Sequence, residues 1–322
     1  MTKIQIFVSH RTDLNSIVVD NPLYVPVRCG AIFDKENRSA LQGDDTGDNI
    51  SYKKNNLSEF TVQYWAWKNI DADYYGLCHY RRYLSFADEY FPINNVGMVN
   101  SFYMGDNQLK QFGMLDQAQM VQTISDYDII VSEGALLTKH PSPKGKVKTV
   151  RELWEAHDGI FITKEAIHEM FCLIERMSPE YSESARAYFD SGYHRGYNCY
   201  VMKKELFCRL CEFQFPIIFA MQEWLNTRPY CDDLPRLPAY IGEMLYGIFT
   251  YHIMTSEKWK VKESQLVLFY RTEMISGKLH MAVAYMRYML EKTAKGALQV
   301  FFPLGTRRRE IVKNIWHKIH KR

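Results

Sequence analysis

The chain of 322 residues lacks any apolar run able to cross ~30 Å of hydrocarbon. Its longest apolar stretches, near Phe215–Met221 and Ile241–Ile253, are too short or too interrupted. The opening Met1–Val8 has no long apolar segment with a small-residue cleavage site, so no signal peptide is expected. Cysteine is sparse, at seven scattered residues. An odd number in a large chain argues against a disulfide framework and for reduced thiols in a cytosolic protein. There is no Walker A string and no Gly-x-Gly-x-x-Gly after the first expected strand, which removes support for ATP-type phosphate cradling and for Rossmann dinucleotide binding. His-Glu-x-x-His and Gly-x-Ser-x-Gly are missing too, which weighs against a zinc protease and an α/β-hydrolase. Repeats and low-complexity tracts are absent.

Hydrophobic residues make up 47% and charged residues 24%, a balance that gives a folded chain rather than a disordered one. Tyrosine is abundant, at 22, beside 6 Trp. Such aromatics suit stacking on flat polar ligands as well as a large core. The net charge of +3 is unevenly spread. Residues 307–322 hold seven Lys or Arg against Glu310 alone, a segment of +6, which leaves −3 on the remainder. The body therefore does not read as a nucleic-acid binder. In the tail, Ile311, Val312, Ile315, Trp316 and Ile319 share one helical stripe with basic residues around it. That is the pattern of a helix lying in an anionic membrane surface, the alternative being a helix docked on the body.

Period and turn signals predict a strand over Lys3–Ser9, a polar loop over Gly43–Ser51, and a helix over Ser58–Ile70 with Ser58 as N-cap. Strands follow over Asp73–His79 and Tyr127–Ser132, with a short one over 197–202. Helices are expected over Lys164–Met177, Lys203–Gln214, Pro216–Asn226, Ala239–His252 and Ala282–Lys295. Pro141–Lys148 reads as a flexible basic loop near a site. The pattern implies an α/β fold, a mainly parallel sheet flanked by helices with a helix-rich C-terminal half. Ligands then gather at the carboxyl ends of the strands. The expected organisation is a domain over 1–255, with halves of about 1–135 and 150–255, and a helical extension over 256–322 ending in the basic tail.

Three strings are unusual: Gly43–Ser51 (GDDTGDNIS), Tyr64–Asn69 (YWAWKN) and Gly76–Tyr83 (GLCHYRRY). They resemble a bacterial family named only as a domain of unknown function, whose members are described as capsular polysaccharide or exopolysaccharide glycosyltransferases, some linked to galactofuranosyl transfer. The likeness is strongest over about 1–86 and continues through Tyr193–Glu205 and Leu237–Tyr251. The order of loop, helix and strand is also similar to GT-A glycosyltransferases of the large inverting type. There the strand ends at a metal-binding Asp-x-Asp; here it ends at His79-Tyr80-Arg81-Arg82. The resemblance thus implies transfer from a UDP-sugar, with Arg81, Arg82, His79 and Tyr80 near the diphosphate. Paired guanidinium donors suit a diphosphate leaving group. Cationic stabilisation is favoured over a divalent metal (Mn²⁺ or Mg²⁺), which stays as the alternative. His10 and Arg11, after the first strand, are expected near the nucleotide. Asp44, Asp45, Asp48 and Asn49 are read either as nucleotide or sugar contacts or as plain Asx-turn residues. Asp71-Ala72-Asp73 and Asp126-Tyr127-Asp128 precede their strands and read as turn and cap residues.

Inverting transfer needs a carboxylate to take the acceptor's proton. Glu243, just after the expected start of a helix at Pro238, is the first candidate, and Asp190 the second. Tyr193, His194, Arg195 and Asn198, in a Gly-rich loop, are candidates for the acceptor or diphosphate pocket. The resemblance implies a lipid-linked glycan acceptor on polyprenyl diphosphate, as in capsule, exopolysaccharide or O-antigen synthesis. It also implies a cytoplasmic enzyme held peripherally on the inner membrane face through 307–322, with no nucleic-acid partner. The rival readings are a sugar-nucleotide hydrolase or phosphotransferase, and a non-enzymatic glycan- or nucleic-acid-binding module.

Overall fold

The computed structural model describes residues 2–12, 16–34, 41–256, 258–301 and 308. The tail helix expected over 307–322 lies outside the described residues apart from Arg308. The first half runs β1 (Ile4–Arg11), β2 (Tyr24–Cys29), β3 (Gln42–Gly43), α1 (Lys54–Leu57), α2 (Phe60–Asn69), β4 (Tyr74–His79), β5 (Arg82–Leu84), β6 (Met98–Tyr103), α3 (Asp106–Gln111), α4 (Gln117–Ser125), β7 (Ile129–Ser132) and β8 (Ala135–Leu136). It continues with α5 (Val150–Glu155), α6 (Lys164–Met177), α7 (Ser182–Asp190), β9 (Tyr193–His194), β10 (Tyr200–Lys203), α8 (Lys204–Asn226), α9 (Leu237–Ser256), β11 (Val261–Ser264), β12 (Leu266–Arg271) and α10 (Lys278–Phe301).

The main sheet has the order β11-β7-β10-β4-β1-β2-β3, with β5, β6 and β12 attached at one side. The pairs β1–β2, β1–β4, β2–β3, β7–β11 and β6–β12 are parallel. β10 enters between β4 and β7 in the opposite sense. The expected α/β class, with a mainly parallel sheet between helices, is what the chain adopts. β1 shows why. Side chains alternate across a strand, and Phe7 joins the helices on one face while Ile6 and Val8 join the core on the other. Such a strand must be apolar nearly throughout. The first core packs Tyr75, Leu77, Val131 and Tyr200 of the sheet against α2 and α5–α9. The second packs Cys78, Ile130 and Val201 against β5, β6, β12, α3 and α4.

Four expectations need correction. Ser58 is not the N-cap of α2. It sits at the C-terminal end of α1 with φ of 51°, and Glu59 precedes α2 without a side-chain cap. Pro216 does not divide two helices, because α8 runs through it. Proline removes only one helical N–H bond, and here it lies on the exposed face while Phe215, Ile217 and Ile218 stay buried. The segment after 255 is not helical throughout: β11 pairs with β7 and β12 with β5 and β6, so the sheet closes only at Arg271. The loop over 141–148 is pinned to the body by buried Ser142 and Val147.

Candidate active site

The carboxyl ends of β1 and β4 open into a cleft with a cavity volume of ≈ 590 Å³. Ser9, His10 and Arg11 leave β1, and His79, Tyr80, Arg81 and Arg82 leave β4, onto its floor. Lys54, Asn55, Ser58 and Glu59 close one side, before α2. From the second half come His194 and Tyr197, then Arg236, Tyr240 and Glu243 at the start of α9. Five cationic side chains (Arg11, Lys54, Arg81, Arg82, Arg236) thus face the two carboxylates Glu59 and Glu243. An anionic ligand fits that balance.

The histidines act as neutral groups. Burial holds His10 down at about 4, and its Nδ1 lies 2.7 Å from Ser16 Oγ. His79 is held well below the usual range by burial and then by Arg82 and Arg81. Its Nδ1 accepts the Arg81 backbone N–H at 3.3 Å, so the ring proton is on Nε2, a donor for an anionic oxygen. Arg82 lies with its guanidinium 4.7 Å from the Tyr197 ring centroid, and its buried Nε has no hydrogen-bond partner among the described residues. Arg81 is exposed and lies 5.3 Å from the Tyr80 ring.

Glu243 stands in the second turn of α9 rather than the first. Burial, and next the negative charge of Glu59, push its carboxyl up to about 7, against the pull of Arg82 and Arg236. The Tyr197 backbone N–H donates to it. Its place is fixed from behind. Gln63 donates to Gln214 at 2.7 Å, and Gln214 donates to the Gly242 carbonyl at 2.9 Å, all buried. Gly242 leaves room for Phe60, whose ring would be 2.4 Å from an added Cβ. Tyr197 and Asn198 both have positive φ, 70° and 44°. Two adjacent non-glycine residues in that region store strain, a feature that gathers at functional sites. Asn198 is buried behind the cleft and donates to Glu59 at 3.1 Å.

The expected residues therefore divide. His10, Arg11, His79, Tyr80, Arg81, Arg82, His194 and Glu243 line one cleft. Asp44 does not: it is fully buried and accepts from Gly30 N, Ala31 N, Ser51 Oγ and Thr61 Oγ1. Asp45 is exposed beside Gly43. Asp48 is tied through its backbone to Asn69, and Asn49 accepts the Ser51 N–H in an Asx turn. Asp190 is exposed and faces Arg151 at 3.5 Å. Tyr193 is exposed, and Arg195 pairs with Glu263 and donates to the Ser132 carbonyl. Both Asp-x-Asp strings sit at amino ends of strands. Asp71 pairs with Lys204 and Asp73 accepts from Lys3 N; Asp128 pairs with Lys203 and accepts from Lys260 N, while Asp126 accepts from Gln122. Glu59, Arg236, Trp154, Phe161 and Tyr240 are cleft residues the sequence reading passed over. Tyr240 was within reach of it, one turn before Glu243 on the same helix face.

Among the described residues, no cluster of three or more His, Cys, Asp or Glu could hold a metal ion. No helix among them is long and apolar enough to cross a membrane.

The chain has an α/β fold similar to that of a solved glycosyltransferase structure. The chain matches the apo structure of the WbbM bifunctional glycosyltransferase with a TM-score of 0.74 and 26% identity, over 86% of this chain and 48% of that one. It thus spans about half the length of that structure. No curated protein gives a match. Residues 5–257 match the family described as Domain of unknown function (DUF4422), and the chain belongs to that family.

Proposed function

We propose that the chain is a GT-A-like glycosyltransferase that moves a sugar from a nucleoside diphosphate, UDP, to a glycan acceptor. The observation that carries this reading is the cationic cleft at the ends of β1 and β4 with Glu243 in its wall. Arg82, Arg81 and Arg236 hold the diphosphate, and His79 Nε2–H donates to one of its oxygens. These groups stabilise charge as the anomeric C–O bond to phosphate breaks. Glu243 takes the proton of the acceptor hydroxyl as its oxygen bonds to the anomeric carbon, in a single inverting displacement. A carboxylate with a pKa near the working pH suits that role. The acceptor is a lipid-linked glycan of capsule, exopolysaccharide or O-antigen type. The apolar stripe of 307–322, with basic residues around it, holds the enzyme on the inner, anionic face of the cytoplasmic membrane, a reading supported by sequence pattern alone.

Calorimetric titration of the full chain with UDP and UDP-sugars, in Mn²⁺ and in EDTA, tests the reading. UDP binding that survives EDTA and is lost in Arg82→Ala is expected. Binding only in Mn²⁺ overturns the metal-free assignment, and no nucleotide binding overturns the donor.

A further inference from the structure

Helix α10 (Lys278–Phe301) rests on the body with an apolar face turned outward. Its inner side is held by rings. Phe102 meets Tyr285 and Tyr288 at 5.2 and 5.1 Å between centroids, and Tyr270 meets Tyr288 at 5.0 Å. No described side chain of this helix is buried. Leu279, Val283, Met286 and Leu290 follow one another at helical spacing and share one face, on the far side of the helix from the two tyrosines. Leu279 is 77%, Met286 56% and Leu290 70% exposed, and Met274, just before the helix, is 81% exposed. A helix face that meets water is ordinarily polar, and a contiguous apolar patch marks an interaction site.

Charge identifies the partner. From Lys278 onward the sequence holds eleven Lys or Arg against Glu291 and Glu310, a balance of +9, which leaves −6 on residues 1–277. A second copy would bring the same positive charge against this face, and repulsion opposes that pairing. An anionic bilayer brings the opposite charge together with an apolar interior. On the helix itself, exposed Lys278 and Arg287 lie on either side of the stripe. Their long stems can follow the apolar surface while the charged ends reach headgroups.

We propose that the outer face of α10, formed by Leu279, Val283, Met286 and Leu290, docks in the surface of an anionic bilayer, with the helix axis in the membrane plane. To the membrane reading of 307–322 this adds a contact made by the fold itself, and it does not depend on sugar transfer. The sheet sets the orientation. β4 and β12 both run against β5, so they run the same way. The carboxyl end of β12, which leads into α10, therefore lies at the same edge of the sheet as the cleft. The connection is close: the Thr272 carbonyl accepts from Ile17 N at 2.6 Å, and the adjacent Ser16 Oγ lies 2.7 Å from His10 Nδ1 in the cleft. A molecule anchored in that bilayer is thus brought to the edge where the cleft opens.

Co-sedimentation of the full chain with phosphatidylcholine vesicles, with and without phosphatidylglycerol, tests this. Binding is expected with phosphatidylglycerol only, and it should weaken as salt rises. Met286→Gln combined with Leu290→Gln keeps the charge and suits a helix while removing apolar area. This double variant should bind at least about tenfold more weakly with its melting temperature unchanged. Met286→Trp, on the exposed face, should bind more tightly. No binding to the anionic vesicles overturns this docking and the membrane reading of 307–322 together. Wild-type binding that both variants leave unchanged overturns the docking of α10 alone. A dimer in sedimentation velocity that the double variant turns into monomers also overturns it, because a second copy then covers the face. A double variant that melts lower does so too, because the chain's own residues then cover it. The transferase reading stands or falls separately, on UDP binding.

Discussion

Asp44 offers the sharpest test of how the acidic loop works. Its carboxylate is fully buried and holds two backbone N–H groups at 2.9 Å and two hydroxyls at 2.5 Å. These donors belong to the turn after β2, the Ser51 turn and α2, so one side chain joins three segments beside the cleft. In Asp44→Ala the hydroxyls can rotate to other partners, but the amides of Gly30 and Ala31 cannot. A buried donor left unpaired costs about 1–3 kcal/mol, so the two amides alone give about 2–6 kcal/mol. Unfolding entropy of about 2.1 cal/mol/K per residue turns that into a fall in melting temperature of about 3–9 °C. Differential scanning fluorimetry on wild type and variant measures it. At a temperature where the variant is folded, its UDP affinity should stay within a few-fold of wild type. A variant that melts like wild type but no longer binds UDP would refute the structural assignment and make Asp44 a ligand contact.

Glu243→Gln should reduce transfer by about 10²–10⁴-fold while UDP binding is kept, measured by sugar transfer and calorimetry. The wild-type rate should climb with pH through about 7 as Glu243 ionises. The stability sign is opposite: a folded-state pKa above the unfolded one favours the folded protein below the unfolded value, and that advantage is lost as pH rises to about 7. Glu243→Gln should therefore melt higher than wild type at pH 8, with the gap closing by pH 4. Arg82→Lys should lose at least tenfold in UDP affinity and Arg81→Ala less, because Arg82 is the less exposed and is stacked on Tyr197, and a lysine has no planar fork. Gly242→Ala should cost about 1–3 kcal/mol through its clash with Phe60, and it should lower the rate by shifting α9, read from melting and turnover together.

The parts legible in the sequence are those written in local chemistry. β1, β4 and β7 carry apolar runs of strand length, and α6 has a clean stripe, so its limits at Lys164 and Met177 match the expectation. The end of the first strand pointed to His10 and Arg11, and the family resemblance to His79–Arg82. What was hidden depends on tertiary partners. β5 is short and β11 is largely polar, and both become strands only by pairing across the sheet, whereas the six-residue apolar run of β12 is of strand length and was passed over. Pro216 looks like a stop until the exposed face of α8 is seen. Asp44 and Asp48 look alike in a polar string, yet one is a buried acceptor of four bonds and the other is exposed, because only Asp44 meets the amides after β2 and the buried Ser51 and Thr61 hydroxyls. Tyr240 meets Trp154 and Phe161 only through the tertiary fold, so no spacing links them in the sequence.

The reversed strand β10 has one more consequence. Because it runs against β4 and β7, the segment entering it, Arg195–Cys199, emerges on the same rim as the segments leaving β1 and β4. Two stretches of chain remote in sequence therefore share one edge without sharing backbone. Insertions or exchanges between Leu136 and Tyr193 can reshape the side of the cleft that holds Trp154, His157 and Phe161 while the arginines after β4 keep their mounting. In an evolving lineage, that arrangement lets one side of the cleft be rebuilt while the other is conserved.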